Sequence, residues 1–212
     1  MIPLPLYREI QLAIEGMEGW CSLDKAADLA DWVYRAKPAI AVELGVFGGK
    51  SLVPIALALR HLGDRLYGKD GIIYGVDPWH VAQALEGDNG NENDDWWRNK
   101  VNLHDIHRLC MESLWKQNLD AHAVILRTTG EMAAPMFRDG SVGFLHQDSN
   151  HSELVSCRQV KLWAPKLTPK AHWILDDADW PSQAAAIRLI EECGFQRIGG
   201  TDKYFVFRRP NE

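Results

Sequence analysis

The sequence predicts one α/β domain: a seven-stranded, mostly parallel sheet with helices on both faces and a C-terminal antiparallel hairpin. Three observations predict it. Short apolar runs alternate with helical stretches of ten or more residues, a rhythm that implies parallel strands joined by crossover helices. A glycine-rich turn with Gly45, Gly48 and Gly49 follows the first apolar run. Two strand-like runs, 195–199 and 203–208, flank Gly200-Thr-Asp202 at the end of the chain, which is hairpin spacing.

Residues 1–38 are read as an N-terminal helical segment and 39–212 as the main body of a single globular domain. Residues 1–20 hold a short amphipathic stretch (Tyr7, Ile10, Ile14), and Ser22 can cap the next helix. There Ala26, Leu29, Ala30, Val33 and Tyr34 recur on one helical face until Pro38 ends it. Ala39–Leu44 is a buried strand, and 51–62 a helix with Leu52, Ile55, Ala56 and Leu59 inward. Residues 71–76 form a strand that ends in Asp77-Pro78. Residues 79–100 carry Gly, Asn and Asp in a run that reads as a mobile loop. A helix over 101–119, a strand over 123–127 and a short helix over 131–137 follow. Then come a strand over 142–147, a helix over 152–163, a strand over 171–175 and a helix over 181–193 that starts on Pro181.

The bulk numbers bound the function. A chain of 212 residues with 46% hydrophobic and 25% charged residues suits one folded domain. A formal charge of −6 argues against nucleic-acid or anionic-membrane partners. The four cysteines (Cys21, Cys110, Cys157, Cys193) form no C-x-x-C pair and read as reduced core thiols. The N-terminus lacks the basic and apolar regions of a secretion signal, and no apolar run reaches membrane-spanning length, so a cytoplasmic protein is expected. The nine tryptophans are core or helix-packing residues, or else the walls of an aromatic pocket for a flat or sugar-like substrate.

Ligands of such sheets bind beyond the carboxyl ends of the strands, so the polar residues there carry the functional reading. The turn after the first strand is neither a P-loop, being one residue short between Gly45 and the Gly-Lys-Ser, nor a G-x-G-x-x-G fingerprint. Glu43 ahead of that turn would repel a pyrophosphate but attract the cationic end of an amino-acid-bearing cofactor. Asp77 can accept both hydroxyls of a ribose. Together they suit a nucleoside without phosphates. Asp148 ends the fourth strand, and Asp176 and Asp177 end the fifth. Three crowded carboxylates repel unless protonated or bridged by a cation, and an all-oxygen set favours Mg²⁺, Mn²⁺ or Ca²⁺ over zinc. The alternative is a helix-capping Asp148 beside a solvated acidic loop. His104 and His107 fit better as surface histidines than as metal ligands.

From about Ala39 to Arg208 these residues resemble the class I methyltransferase fold, a Rossmann-like sheet. They resemble most the metal-dependent O-methyltransferases: the catechol and caffeoyl-CoA enzymes and the macrocin- and cephalosporin-hydroxylase-like branch. Glu43-Leu-Gly-x-x-x-Gly-x-Ser51 is similar to the family's cofactor turn, and Gly75-Val-Asp77-Pro-Trp79 to its ribose-binding strand end. Leu145-His-x-Asp148-x-x-His151, Trp163-Ala-Pro and Leu175-Asp-Asp177 are similar to its metal segment. The resemblance implies a small-molecule acceptor, S-adenosylmethionine as methyl donor, and Mg²⁺ (or Mn²⁺ or Ca²⁺) on Asp148, Asp176 and Asp177. It further implies that Glu43, Gly45, Phe47 and Ser51 meet the methionine part, Asp77 the ribose, and Gly130 and Glu131 the adenine. Relatives carry a Lys or Asp as base where this chain has His151 and Asn150. Asn150 takes no proton at neutral pH, whereas His151 can. The acceptor is expected to present vicinal oxygens, as a sugar or a phenol does, and a homo-oligomer is compatible with the family. A same-fold enzyme with other chemistry, or a non-catalytic binding module, are the competing readings.

Overall fold

The computed structural model describes residues 1–63 and 71–210. Seven strands form one sheet: β1 (Ile40–Leu44), β2 (Ile72–Val76), β3 (Ala123–Leu126), β4 (Val142–Gln147), β5 (Leu167–Leu175), β6 (Gln196–Gly200) and β7 (Phe205–Arg208). Their spatial order is β3-β2-β1-β4-β5-β7-β6. The first five pair in parallel, and β7 turns antiparallel between β5 and β6. The fold predicted above is the fold observed. The strand order reverses between β1 and β4, so a crevice opens beyond the ends of those two strands.

One face of the sheet is covered by α1 (Leu4–Ile14), α2 (Leu23–Ala36), α3 (Leu52–Gly63) and, after two short helices α4 (Val81–Ala84) and α5 (Asn91–Asn99), by α6 (Leu103–Lys116). The other face is covered by α7 (Gly130–Ala133), α8 (Glu153–Trp163) and α9 (Ala184–Glu192). The helix α2 shows why its sequence folds as it does. Ala26, Leu29, Ala30 and Val33 recur at steps of three and one, and all four are buried. The Ser22 side chain accepts from the Lys25 amide as N-cap, and Lys37 in left-handed conformation closes the other end. Alternation along β1 sends Val42 and Leu44 to the α8 face and Ala41 to the α2–α3 face. Glu43 therefore points toward α2 and α3.

Two elements differ from the sequence reading. The stretch 79–100, read as a mobile loop, carries α4 and α5, and the Asn150 side chain donates to three of its carbonyls, those of Gln83, Ala84 and Glu86. Also, β5 begins at Leu167 rather than Ala171, its first half extending past the polar Thr-Pro-Lys that hid it. Among the described residues no helix is long and apolar enough to cross a membrane.

Candidate active site

A cavity of about 940 Å³ lies beyond the carboxyl ends of β1, β2, β4 and β5. Gly45, Phe47, Ser51, Asp77, Gly130 and Glu131, all assigned above to a cofactor, line it. Gly45 (φ 84°) sits where β1 and β4 part. A side chain there would run into the Asp148 carbonyl, so the turn and the first acidic strand end touch directly. Among the described residues five non-glycines have positive φ, and three of them (Phe47, Trp79 and Asp177) border this cavity. Such backbone strain concentrates at sites where position matters more than comfort.

Asp77 is engaged by the chain itself. Its Oδ2 accepts from the Val46 and Phe47 amides, both at 2.9 Å, and its Oδ1 from the Trp79 amide at 2.6 Å. Burial raises its pKa despite those three amides, which act to lower it. A carboxylate has about four acceptor directions. Asp77, expected to take both ribose hydroxyls, here clamps the glycine turn and has room for about one more bond. Trp79, at the start of the stretch read as a mobile loop, is buried with its indole N–H on the Phe47 carbonyl at 3.0 Å.

Glu43 needs a larger correction. It is fully buried, does not line the cavity, and its Oε1 lies 2.7 Å from Nδ1 of His146. The reason is register. Glu43 and His146 are direct partners across β1 and β4. Oε2 of Glu43 has no hydrogen-bond partner. The far nitrogen of His146, Nε2, lies 3.5 Å from Asp176 Oδ2 and 3.9 Å from Asp148 Oδ2. Burial opposes the imidazolium, but Asp176 and Glu43 outweigh it and raise the His146 pKa to about 9.

Asp148, Asp176 and Asp177 come to one end of the sheet, as expected, but they do not converge on a single point. Oxygen and nitrogen atoms of His146, Asp148 and Asp176 lie within 4.8 Å of one another, and so do those of Asp148, His151 and Asp177. Only Asp148 belongs to both groups. The first group already holds a cation. Lys25, from the first turn of α2, sets its ammonium on Asp176 Oδ2 and 3.6 Å from Asp148 Oδ2. Burial acts against the charged lysine, yet Asp148 and Asp176 raise its pKa overall. The pair of carboxyls splits: burial and its neighbour push Asp148 up, while hydrogen bonds and Lys25 overcome burial to hold Asp176 down. A divalent ion between the same oxygens would face that ammonium at about 4 Å, a repulsion of about 8 kcal/mol at an effective dielectric of about 20. A single ion held by all three aspartates therefore does not fit these residues as they are arranged: Lys25 occupies the Asp148–Asp176 side, and Asp177 groups with Asp148 and His151 instead.

The second group is a dyad. His151 Nε2 lies 3.0 Å from Asp177 Oδ2, and the imidazole packs 5.0 Å from the Trp180 ring. Gln183 donates to the His151 carbonyl, and Asp177 is held by its amide on Asp176 Oδ1. A histidine fixed through one ring nitrogen by a carboxylate presents the other for proton transfer. Opposite this dyad, Trp20 lies 5.1 Å from both Phe47 and Trp96, and Phe47 lies 5.8 Å from Trp97. These four rings form an aromatic wall. Trp163 and Trp173 are core residues instead. Sequence reasoning missed Lys25, His146 and Trp20. Only Lys25 left a local trace: a lysine in a helix's first turn opposes the helix dipole and asks for a compensating charge.

A family model described as a methyltransferase domain matches residues 42–178. No curated protein sequence matches the chain. Among solved structures, the O-methyltransferase NovP superposes with a TM-score of 0.71 at 14% identity, over 97% of this chain and 100% of its own. The O-methyltransferase TomG of Streptomyces achromogenes, solved with SAM, gives 0.58 at 14% identity, over 97% and 88%. An SAH-bound methyltransferase of Podospora anserina gives 0.62 at 12% identity, over 99% and 89%. At these identities the likeness is one of fold.

Proposed function

This chain belongs to the methyltransferase-domain family, and from that premise we propose that it is an S-adenosylmethionine-dependent O-methyltransferase acting on a small, flat, hydroxylated molecule. The observation that carries the reading is the His151–Asp177 dyad at the mouth of the cavity that the glycine turn and Asp77 border. When bound, S-adenosylmethionine supplies a methyl group on a positively charged sulfur and leaves as the neutral thioether. Gly45 and the Asp77-clamped amides shape the end of the cavity suited to the donor, with Ser51, Gly130 and Glu131 along it. His151 removes the proton of the acceptor hydroxyl, and Asp177 holds the imidazole in place as it charges. The wall of Trp20, Phe47 and Trp96 stacks the acceptor ring and excludes water. Metal chelation of two vicinal oxygens is not part of this reading, because Lys25 holds two of the three carboxylates that would carry it and His151 faces the third.

The cavity also selects by charge. Eleven Asp or Glu residues line it against three Lys and no Arg. A phosphorylated or CoA-linked acceptor would enter against that field, whereas a neutral or amine-bearing phenol would not. Transfer of label from methyl-labelled S-adenosylmethionine is thus expected with neutral or aminated phenols and not with CoA thioesters. Turnover confined to phosphorylated acceptors would reverse the assignment.

His151→Ala is expected to lower kcat by about 100- to 10,000-fold, the usual worth of a positioned general base. Binding of S-adenosylhomocysteine, measured by calorimetry, is expected to stay unchanged, because the dyad faces the acceptor. A His151→Ala enzyme with unaltered kcat removes the dyad from the reaction.

A further inference from the structure

We infer that Lys25 is the resident cation of the acceptor site and that this chain holds its acidic strand ends together without a divalent metal. The ammonium touches Asp176 Oδ2 directly and lies 3.6 Å from Asp148 Oδ2, while His146 Nε2 approaches the same two oxygens at 3.5 and 3.9 Å. The two carboxylates thus face one lysine and one histidine of the chain, and the position an ion would take between Asp148 and Asp176 is filled.

The lysine is held as a fixture. Its side chain is 18% exposed, and the helix that carries it is locked into the core by Leu29, Ala30 and Val33. Tyr204 donates from its hydroxyl to Asp28 Oδ2 at 2.7 Å, tying α2 to the hairpin that flanks the cavity. The Lys25 amide is fastened to the Ser22 cap. A lysine in the first turn of a helix opposes the helix dipole, and its placement is explained by the carboxylates it reaches. An ammonium has three donors. One is on Asp176, and Asp148 lies 3.6 Å away as an ion pair, so donor capacity remains for a ligand in the cavity that Lys25 lines. Resting on the methyltransferase reading, Lys25 then donates to the acceptor oxygen and keeps its proton, while His151 takes the hydroxyl proton.

The test uses Mn²⁺ alone, followed by electron paramagnetic resonance on the full chain. Wild type and Lys25→Arg are expected to leave the free-ion signal undiminished. Lys25→Met, which keeps the length and removes the charge, is expected to bind Mn²⁺ about 100-fold more tightly than wild type. Asp176→Asn added to Lys25→Met should abolish that gain. Tight Mn²⁺ binding by wild type that is lost in Asp176→Asn overturns the inference, as does a Lys25→Met protein that melts like wild type yet binds no more ion. Thermal shift by S-adenosylhomocysteine is measured beside it. Its absence would remove the methyltransferase reading while leaving the metal result to stand or fall separately.

Discussion

Gly45→Ala is expected to lower the melting temperature and to weaken S-adenosylhomocysteine binding by more than about 100-fold, equivalent to about 2.7 kcal/mol. Two costs combine. At φ 84° an alanine carries left-handed strain of about 1–3 kcal/mol. Its Cβ would also stand 2.0 Å from the Asp148 carbonyl oxygen and 2.6 Å from the Asp148 carbonyl carbon and Ser149 Cα. These are backbone atoms and cannot rotate away, so β1 and β4 must separate at the point where the Asp148 amide bonds the Leu44 carbonyl. That separation widens the turn and drags Asp148 from Lys25. Gly90 supplies the control. It has the same φ of 84° and nothing within 4 Å of the position of an added Cβ. Gly90→Ala bears the backbone strain alone, so its melting point and ligand affinity should fall much less. Equal losses in the two variants, by calorimetry, would place the whole effect in the dihedral and none in the contact with Asp148.

The contrast between these two glycines shows what the chain reveals locally and what it does not. The alternation of apolar runs and helices reads directly as the sheet, because strand and helix periods are properties of neighbouring residues. So do the strand-end positions of Asp77, Asp148, Asp176 and Asp177, all of which border the cavity. The partners of those carboxylates are another matter. Lys25 meets Asp176 across 151 residues and Tyr204 meets Asp28 across 176, and no local pattern encodes either pairing. Three crowded aspartates seemed to demand an external ion, because the lysine able to neutralise two of them lay in a helix read as packing alone. Similarly, 79–100 has the composition of a loop. It folds as α4 and α5, and the Asn150 side chain gathers the carbonyls at the end of α4. A residue assessed for its capacity to take a proton turns out to act through its amide donors.

His146→Leu is expected to destabilise the protein by about 3–5 kcal/mol, the cost of leaving a buried charge without its partner. In a domain of this size that lowers the melting temperature by about 10 °C. The charge left behind is Glu43, fully buried, with one oxygen on His146 and the other on nothing. The pH dependence carries the same signature. Against burial, Asp176 and Glu43 raise the pKa of His146 from the ordinary 6.5 of a histidine to about 9 in the folded protein. The folded state therefore holds its proton more tightly, and that stabilisation is complete below about pH 6.5 and lost as pH rises through about 9. Wild-type stability should fall across this window, and His146→Leu should lose that component of the slope. Replacing both partners, Glu43→Met with His146→Leu, removes the stranded carboxylate and should recover most of the loss, since an apolar pair fills the space without a desolvated charge. Recovery should stop short of complete, because Asp176 also faces His146. The double variant further decides the role of Glu43. Screened from the cavity, it should be dispensable for S-adenosylhomocysteine affinity to within a few-fold. A refolded double variant that no longer binds the ligand would return Glu43 to direct contact with the cofactor, against the geometry that aims it at His146.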